Sequence, residues 1–184
     1  SEFFMKVILQ GQGAIDLGQN DFVAQGGQAS VYVKAGTAYK VYTDPKDAIP
    51  REKFQALSAI QDPAVVRPQT LLLDPKTNAP IGYAMEAVTA PHSLCQLFTQ
   101  PFRDRHKVDA KQIPVVAGKL REHVLHVHQA GIVIVDLNEL NLRVPATFDE
   151  VFLIDVDSYQ TPQFPAPFIM LSVRDWSASK FTAE

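Results

Sequence analysis

A single cysteine, Cys95, stands in a chain of 184 residues. That excludes an internal disulfide and a multi-cysteine zinc site, and it suits a reducing, cytoplasmic compartment. No apolar run approaches the roughly 20 residues that cross a bilayer. The opening Ser1-Glu2-Phe3-Phe4-Met5 lacks the basic-then-apolar pattern of a signal peptide, and Met5 reads as the natural start. Neither sign of charge dominates. Lys and Arg total 17 against 20 Asp and Glu, so no broad basic field directs the chain to nucleic acid. Internal repeats and low-complexity segments are absent too. What is present is a chain 46% apolar and 20% charged. That is enough for a core in one domain, or one and a fraction.

The first 88 residues read as an antiparallel sheet with one inserted helix. Met5 to Leu9 suits an edge strand, and Gln10 to Asn20 suits a loop, its Gly11-Gln12-Gly13 included. Phe22 to Val33 reads as strand, Gly26-Gly27 turn, strand. Ala38 to Tyr42 is a third strand, with Tyr39 and Val41 on one face and Ala38, Lys40 and Tyr42 on the other. Phe54, Leu57 and Ile60 mark a helix that Pro50 opens and Asp62-Pro63 ends. Val65 to Leu73, interrupted by Pro68, and Pro80 to Val88 are further strands around the turn Asp74 to Asn78.

The remainder is helical in character. His92 to Phe98 suits a short helix, and Arg103 to Lys111 a charged loop or helix start. Val116, Leu120, Val124 and Val127 predict a long helix from Pro114 to Gln129, stopped by Gly131. Val151 to Ile154 is a short strand, and the tail holds Pro162, Pro165 and Pro167.

Chemistry concentrates between Ile132 and Asp157. Asp136 and Asn141 lie five residues apart after an apolar run, and Asp155 ends the next strand. Such groups cap turns, or they serve a hard cation that takes carboxylates and substrate phosphates. Both readings stand at the level of these residues alone. His123 and His126 have HxxH spacing, but zinc needs further ligands that the sequence does not place. Cys95 reads as a small packing residue, and Trp176 and Phe181 as anchors for further structure.

The order of parts carries more. A Gly-rich hairpin precedes a strand lysine, Lys40, then a helix glutamate, Glu52, then the Asp136 to Asn141 loop and the Asp155 turn. This order resembles the protein kinase superfamily from about Phe22 onward. Ala38-Tyr39-Lys40-Val41 is similar to its third-strand lysine motif. Gly131 to Leu142 resembles its catalytic loop, and Leu153-Ile154-Asp155-Val156-Asp157 its metal-binding DFG turn. Tyr83 to Val88 resembles its hinge, with Met85 as gatekeeper. Ile154 to Gln160 is worded like bacterial and phage serine/threonine kinase-like proteins.

The resemblance implies an α+β, protein-kinase-like fold. Residues 1–88 would form an antiparallel-sheet N-lobe, and residues 89–184 a partial, mainly helical C-lobe. It implies ATP and Mg2+ as cofactors and a protein hydroxyl as acceptor. Asp136, Lys40 and Glu52 would be catalytic, and Asn141 and Asp155 would hold metal. Nucleotide would meet Gln25, Gly26, Gly27, Gln28, Ala29, Val31, Ala38, Lys40, Met85, Glu86, Val88 and Leu142. Departures from the family pattern are Ala24 and Ala29 for loop glycines, Ile134-Val135 for His-Arg, and Asp157 for the DFG glycine. The Ile134-Val135 change argues against switching by a phosphorylated activation loop. A nucleotide-binding pseudokinase or scaffold is the alternative. The partial C-lobe leaves the long helix in need of cover, for which self-association is the expectation.

Overall fold

A computed structural model describes residues 4–166. Pro167, Trp176 and Phe181 lie outside them. The chain divides into two compact units, one of Ser1–Ser58 with Pro68–Ala87, the other of Ala59–Arg67 with Val88–Glu184. The segment 59–67 thus leaves the first unit and returns, which a single cut near residue 88 does not anticipate.

The first unit is a seven-stranded sheet, antiparallel throughout, in the order β2-β1-β6-β7-β5-β4-β3. Its strands are β1 (Phe4–Leu9), β2 (Gly13–Gly18), β3 (Phe22–Gln25), β4 (Ala29–Lys34), β5 (Thr37–Tyr42), β6 (Thr70–Leu73) and β7 (Pro80–Glu86). The stretch expected to be loop, Gln10 to Asn20, contains β2. Ile15 and Leu17 alternate there with Ala14 and Asp16, a period-two pattern that suits a half-buried strand. β2 therefore takes the edge position expected of β1. Gly11 and Gly13, at φ 77° and 102°, make the tight reversal between them.

Val7, Leu17, Tyr39, Val41, Leu72 and Ala84 form one buried cluster of this sheet. Tyr39 and Val41 thus share a face, as their spacing predicts. Gly82 lies opposite Val41. A Cβ at Gly82 would stand 2.0 Å from the Lys40 carbonyl oxygen, so only glycine permits this close approach of β7 to β5. Helix α1 (Arg51–Leu57) stops before Ile60, although Leu57 and Ile60 are both fully buried.

The second unit holds β8 (His92–Ser93), α2 (Gln100–His106), α3 (Gln112–Gln129), β9 (Leu142–Val144) and β10 (Phe152–Leu153). The small sheet runs β10-β9-β8. The predicted helix at His92 is instead β8 followed by a 3-10 turn, Leu94–Phe98. α2 fills part of the region read as a charged loop or helix start and ends at Lys107, in the left-handed region. α3 begins two residues before Pro114. It buries Val116, His123 and Val127, and Gly131 at φ 74° donates to the His128 carbonyl at 2.9 Å to end it. Of the stretch Val65 to Leu73, only β6 is a strand of the large sheet. Val66 instead donates to Leu153 and Leu153 to Ala64, both at 2.9 Å, fixing the segment 59–67 within the second unit.

Candidate functional site

The β9–β10 ladder sets the backbone of Asn141 near that of Asp155. Leu142 pairs with Leu153, so Asn141 directly precedes one strand and Asp155 stands two residues past the end of the other. Ile154 donates its N–H to the Asn141 carbonyl at 3.0 Å, closing this end. Asp155 itself adopts φ 57°, ψ 41° and starts a 3-10 turn. A left-handed non-glycine residue is uncommon, though Asp tolerates it better than most, and such backbone gathers at functional sites. The Ser158 hydroxyl donates to the Asp155 carbonyl at 2.9 Å. Val133 and Gln160 exchange two backbone bonds of 2.9 Å, tying the approach to Asp136 to the chain beyond Asp155.

Between these ties the Asp136 loop is organised by two asparagines. Asn138 donates from Nδ2 to Asp136 Oδ1 at 2.7 Å. Its Oδ1 accepts from Leu140 N–H at 2.9 Å and from Asn141 N–H at 3.1 Å. Asn141 donates from Nδ2 to Asp136 Oδ2 at 2.8 Å. Both carboxylate oxygens of Asp136 are thereby held, and Asn141 Nδ2 also reaches the Asp136 backbone carbonyl at 3.3 Å. Asn138 is absent from the residues singled out in the sequence. Its signal is the Asp-x-Asn-x-x-Asn spacing, since an Asn side chain commonly braces the backbone two residues on.

Tyr159 was missed as well. It is buried, and its phenol is pushed well above the usual range by burial first, then by Asp155, Asp136 and Asp157. Carboxylate and amide oxygens are the donor types that a hard cation takes. Asn141 and Asp155 would hold magnesium, which would neutralise phosphate charge when bound.

The other sequence-predicted residues belong to the first unit, apart from Val88 and Leu142. Gln25, Gly26, Gly27 and Gln28 form an exposed turn between β3 and β4, closed by Gly26 N–H to the Ala29 carbonyl at 2.8 Å. Ala29 is buried, and a Cβ on Gly27 would meet nothing within 4 Å. Val31 pairs with Lys40, and Ala38 with Met85. The Lys40 ammonium lies 5.5 Å from the Tyr42 ring centroid and 5.9 Å from that of Tyr83, in cation–π range. Met85 and Glu86 end β7. Val88 is half-buried and Leu142 buried, both in the second unit. Glu52 is exposed in the first turn of α1, and its neighbour Lys53 is the buried residue.

A crystal structure of a rhoptry kinase from Toxoplasma gondii matches this architecture with a TM-score of 0.57 over 88% of the chain, at 13% identity. The fold is protein-kinase-like. It is α+β, with a sheet-rich N-lobe and a partial C-lobe, as the order of parts implied. The chain spans 51% of the length of that kinase. No family model and no curated protein matches the sequence. The likeness to bacterial and phage proteins is not among these findings. No helix among the described residues is long and apolar enough to cross a membrane.

Proposed function

We propose that this chain carries the nucleotide and metal machinery for ATP- and magnesium-dependent phosphoryl transfer to a serine or threonine hydroxyl. The observation that carries the reading is the Asp136–Asn138–Asn141 network beside Asp155 in a kinase-like fold. Phosphoryl transfer asks the protein mainly for positioning and charge stabilisation, and a network with both carboxylate oxygens fixed supplies positioning. Asp136 accepts the proton of the substrate hydroxyl, and Asn141 and Asp155 hold magnesium.

Lys40 contacts the α- and β-phosphates, and the Gln25 to Ala29 turn offers backbone N–H groups to them. The exposure of Gly26 and Gly27 supports that approach. Val31, Ala38, Met85 and Glu86 of the first unit meet the base and ribose; the roles of Val88 and Leu142, in the second unit, rest on the family resemblance. The role of Glu52 in holding Lys40 rests on sequence order. A second copy is a candidate partner, because Ile113, Val115 and Leu125 of α3 are exposed.

The test is calorimetric titration of ATP with magnesium into the chain and its Lys40→Ala variant. Loss of a charge-assisted phosphate contact weakens binding by about tenfold or more. Equal affinity in a folded variant would reject this site.

A further inference from the structure

The sequence left His123 and His126 without further zinc ligands, and the fold supplies one. Asp62, in the segment that joins the second unit, brings its Oδ2 within 2.6 Å of His123 Nδ1 and 2.6 Å of His126 Nδ1. Asp62 Oδ1 is held separately by the Ala64 N–H at 2.9 Å. The three potential donor atoms all lie within 4.8 Å of one another.

A fourth group orients them. Glu150 Oε1 sits 2.6 Å from His123 Nε2 and also accepts the Val151 N–H at 2.9 Å. A histidine that donates Nε2–H to a carboxylate presents the lone pair of Nδ1 on its other side. This is how a second carboxylate fixes the tautomer of a metal-bound imidazole. His123 and Asp62 side chains are each 5% exposed, whereas His126 is 44% exposed. The cluster is therefore anchored inside and open on one side.

We propose that Asp62, His123 and His126 bind one zinc ion, with Glu150 positioning His123 and water completing the shell on the His126 side. Two imidazoles and one carboxylate are a common ligand set for this ion. Donor atoms on a tetrahedral zinc stand about 3.3 Å apart, so each His–Asp separation opens by about 0.7 Å on binding. HxxH places both rings on one face of α3, one turn apart. The ion pins the segment 59–67 to α3, joining residues distant in sequence. It is separate from the proposed magnesium ligands and does not depend on the phosphoryl-transfer reading.

The competing arrangement is a protonated His123 bridging Asp62 and Glu150 with no metal. Titration of zinc alone into the untagged chain at neutral pH separates the two. The zinc site gives saturable one-to-one binding and a rise in thermal midpoint. His126→Ala, at an exposed position that spares the fold, abolishes both, and Glu150→Gln weakens binding about tenfold. His106→Ala, which alters the separate His92–His106 pair, leaves binding intact. Absence of saturable binding overturns the proposal. So does binding that survives His126→Ala or disappears in His106→Ala.

Discussion

Asn141 Nδ2 lies 2.8 Å from Asp136 Oδ2, so the residue proposed to hold metal also aims the residue proposed to take the substrate proton. The amide can serve both tasks because its two ends differ. The NH2 group donates to Asp136, and the carbonyl oxygen remains for a cation. Replacing Asn141 by Asp puts two like charges together at this distance and removes the donor.

Asn138 tests how far this loop depends on its brace. Asn138→Ala deletes one bond to Asp136 and two to the following backbone. The expected loss is about 1–2 kcal/mol of stability, read by urea denaturation, with a fall in transfer rate larger than the fall in ATP affinity. Unchanged rate and stability would mean that Asp136 is held by other means.

Gly82 sets the spacing of β5 and β7. Gly82→Ala drives a methyl against the Lys40 carbonyl, which is backbone and cannot rotate away. The expected cost is about 3 kcal/mol or more. Thermal melting should show it as a drop of several degrees, and ATP binding should weaken with it because Lys40 shifts. A melting point equal to the parent's would show that the strands part without cost.

His92 gives the second unit a pH dependence. It stacks on Phe148 at 5.5 Å and meets Phe102 and His106 edge-on. Burial first, then the charges of His106 and Arg143, hold its pKa below the usual histidine value. The unfolded chain therefore binds the proton more readily than the folded one. Stability is unaffected above the ordinary histidine pKa of about 6.5 and falls as pH drops through it, levelling below the depressed folded value. Denaturation midpoints from pH 8 to 5 should therefore fall further in the parent than in His92→Phe, since His123, whose pKa is raised against the effect of burial by Glu150 and Asp62, contributes with the opposite sign in both.

Much of this was legible in the sequence because it rests on local pattern. The alternation in Ala38 to Tyr42 gave Tyr39 and Val41 their shared face. The three-and-four repeat gave α3, and the Asp136, Asn141, Asp155 order gave the fold. The misses came from non-local pairing. β9 has only three residues and is a strand because β8 and β10 flank it. Val65 and Val66 have strand composition, yet Val65 donates to the Asp62 carbonyl and Val66 to that of Leu153 rather than to the large sheet. Asp62 read as the end of a helix, and only tertiary contact brings it to His123 and His126. Gln10 to Asn20 was a different error, since Ile15 and Leu17 carried the alternation and the glycines masked it.

The central claim is that Asn141 and Asp155 make nucleotide binding and magnesium binding depend on each other. The most direct measurement is ATP affinity with and without magnesium, for the parent chain and Asp155→Asn, by isothermal calorimetry. Two protein ligands cannot replace most of the hydration shell of magnesium, so the ion should bind only with nucleotide. The parent should then bind ATP about tenfold tighter with magnesium than without, and Asp155→Asn should lose that difference while keeping part of its affinity for ATP. Equal affinity with and without magnesium in the parent, unaltered by Asp155→Asn, would contradict the account.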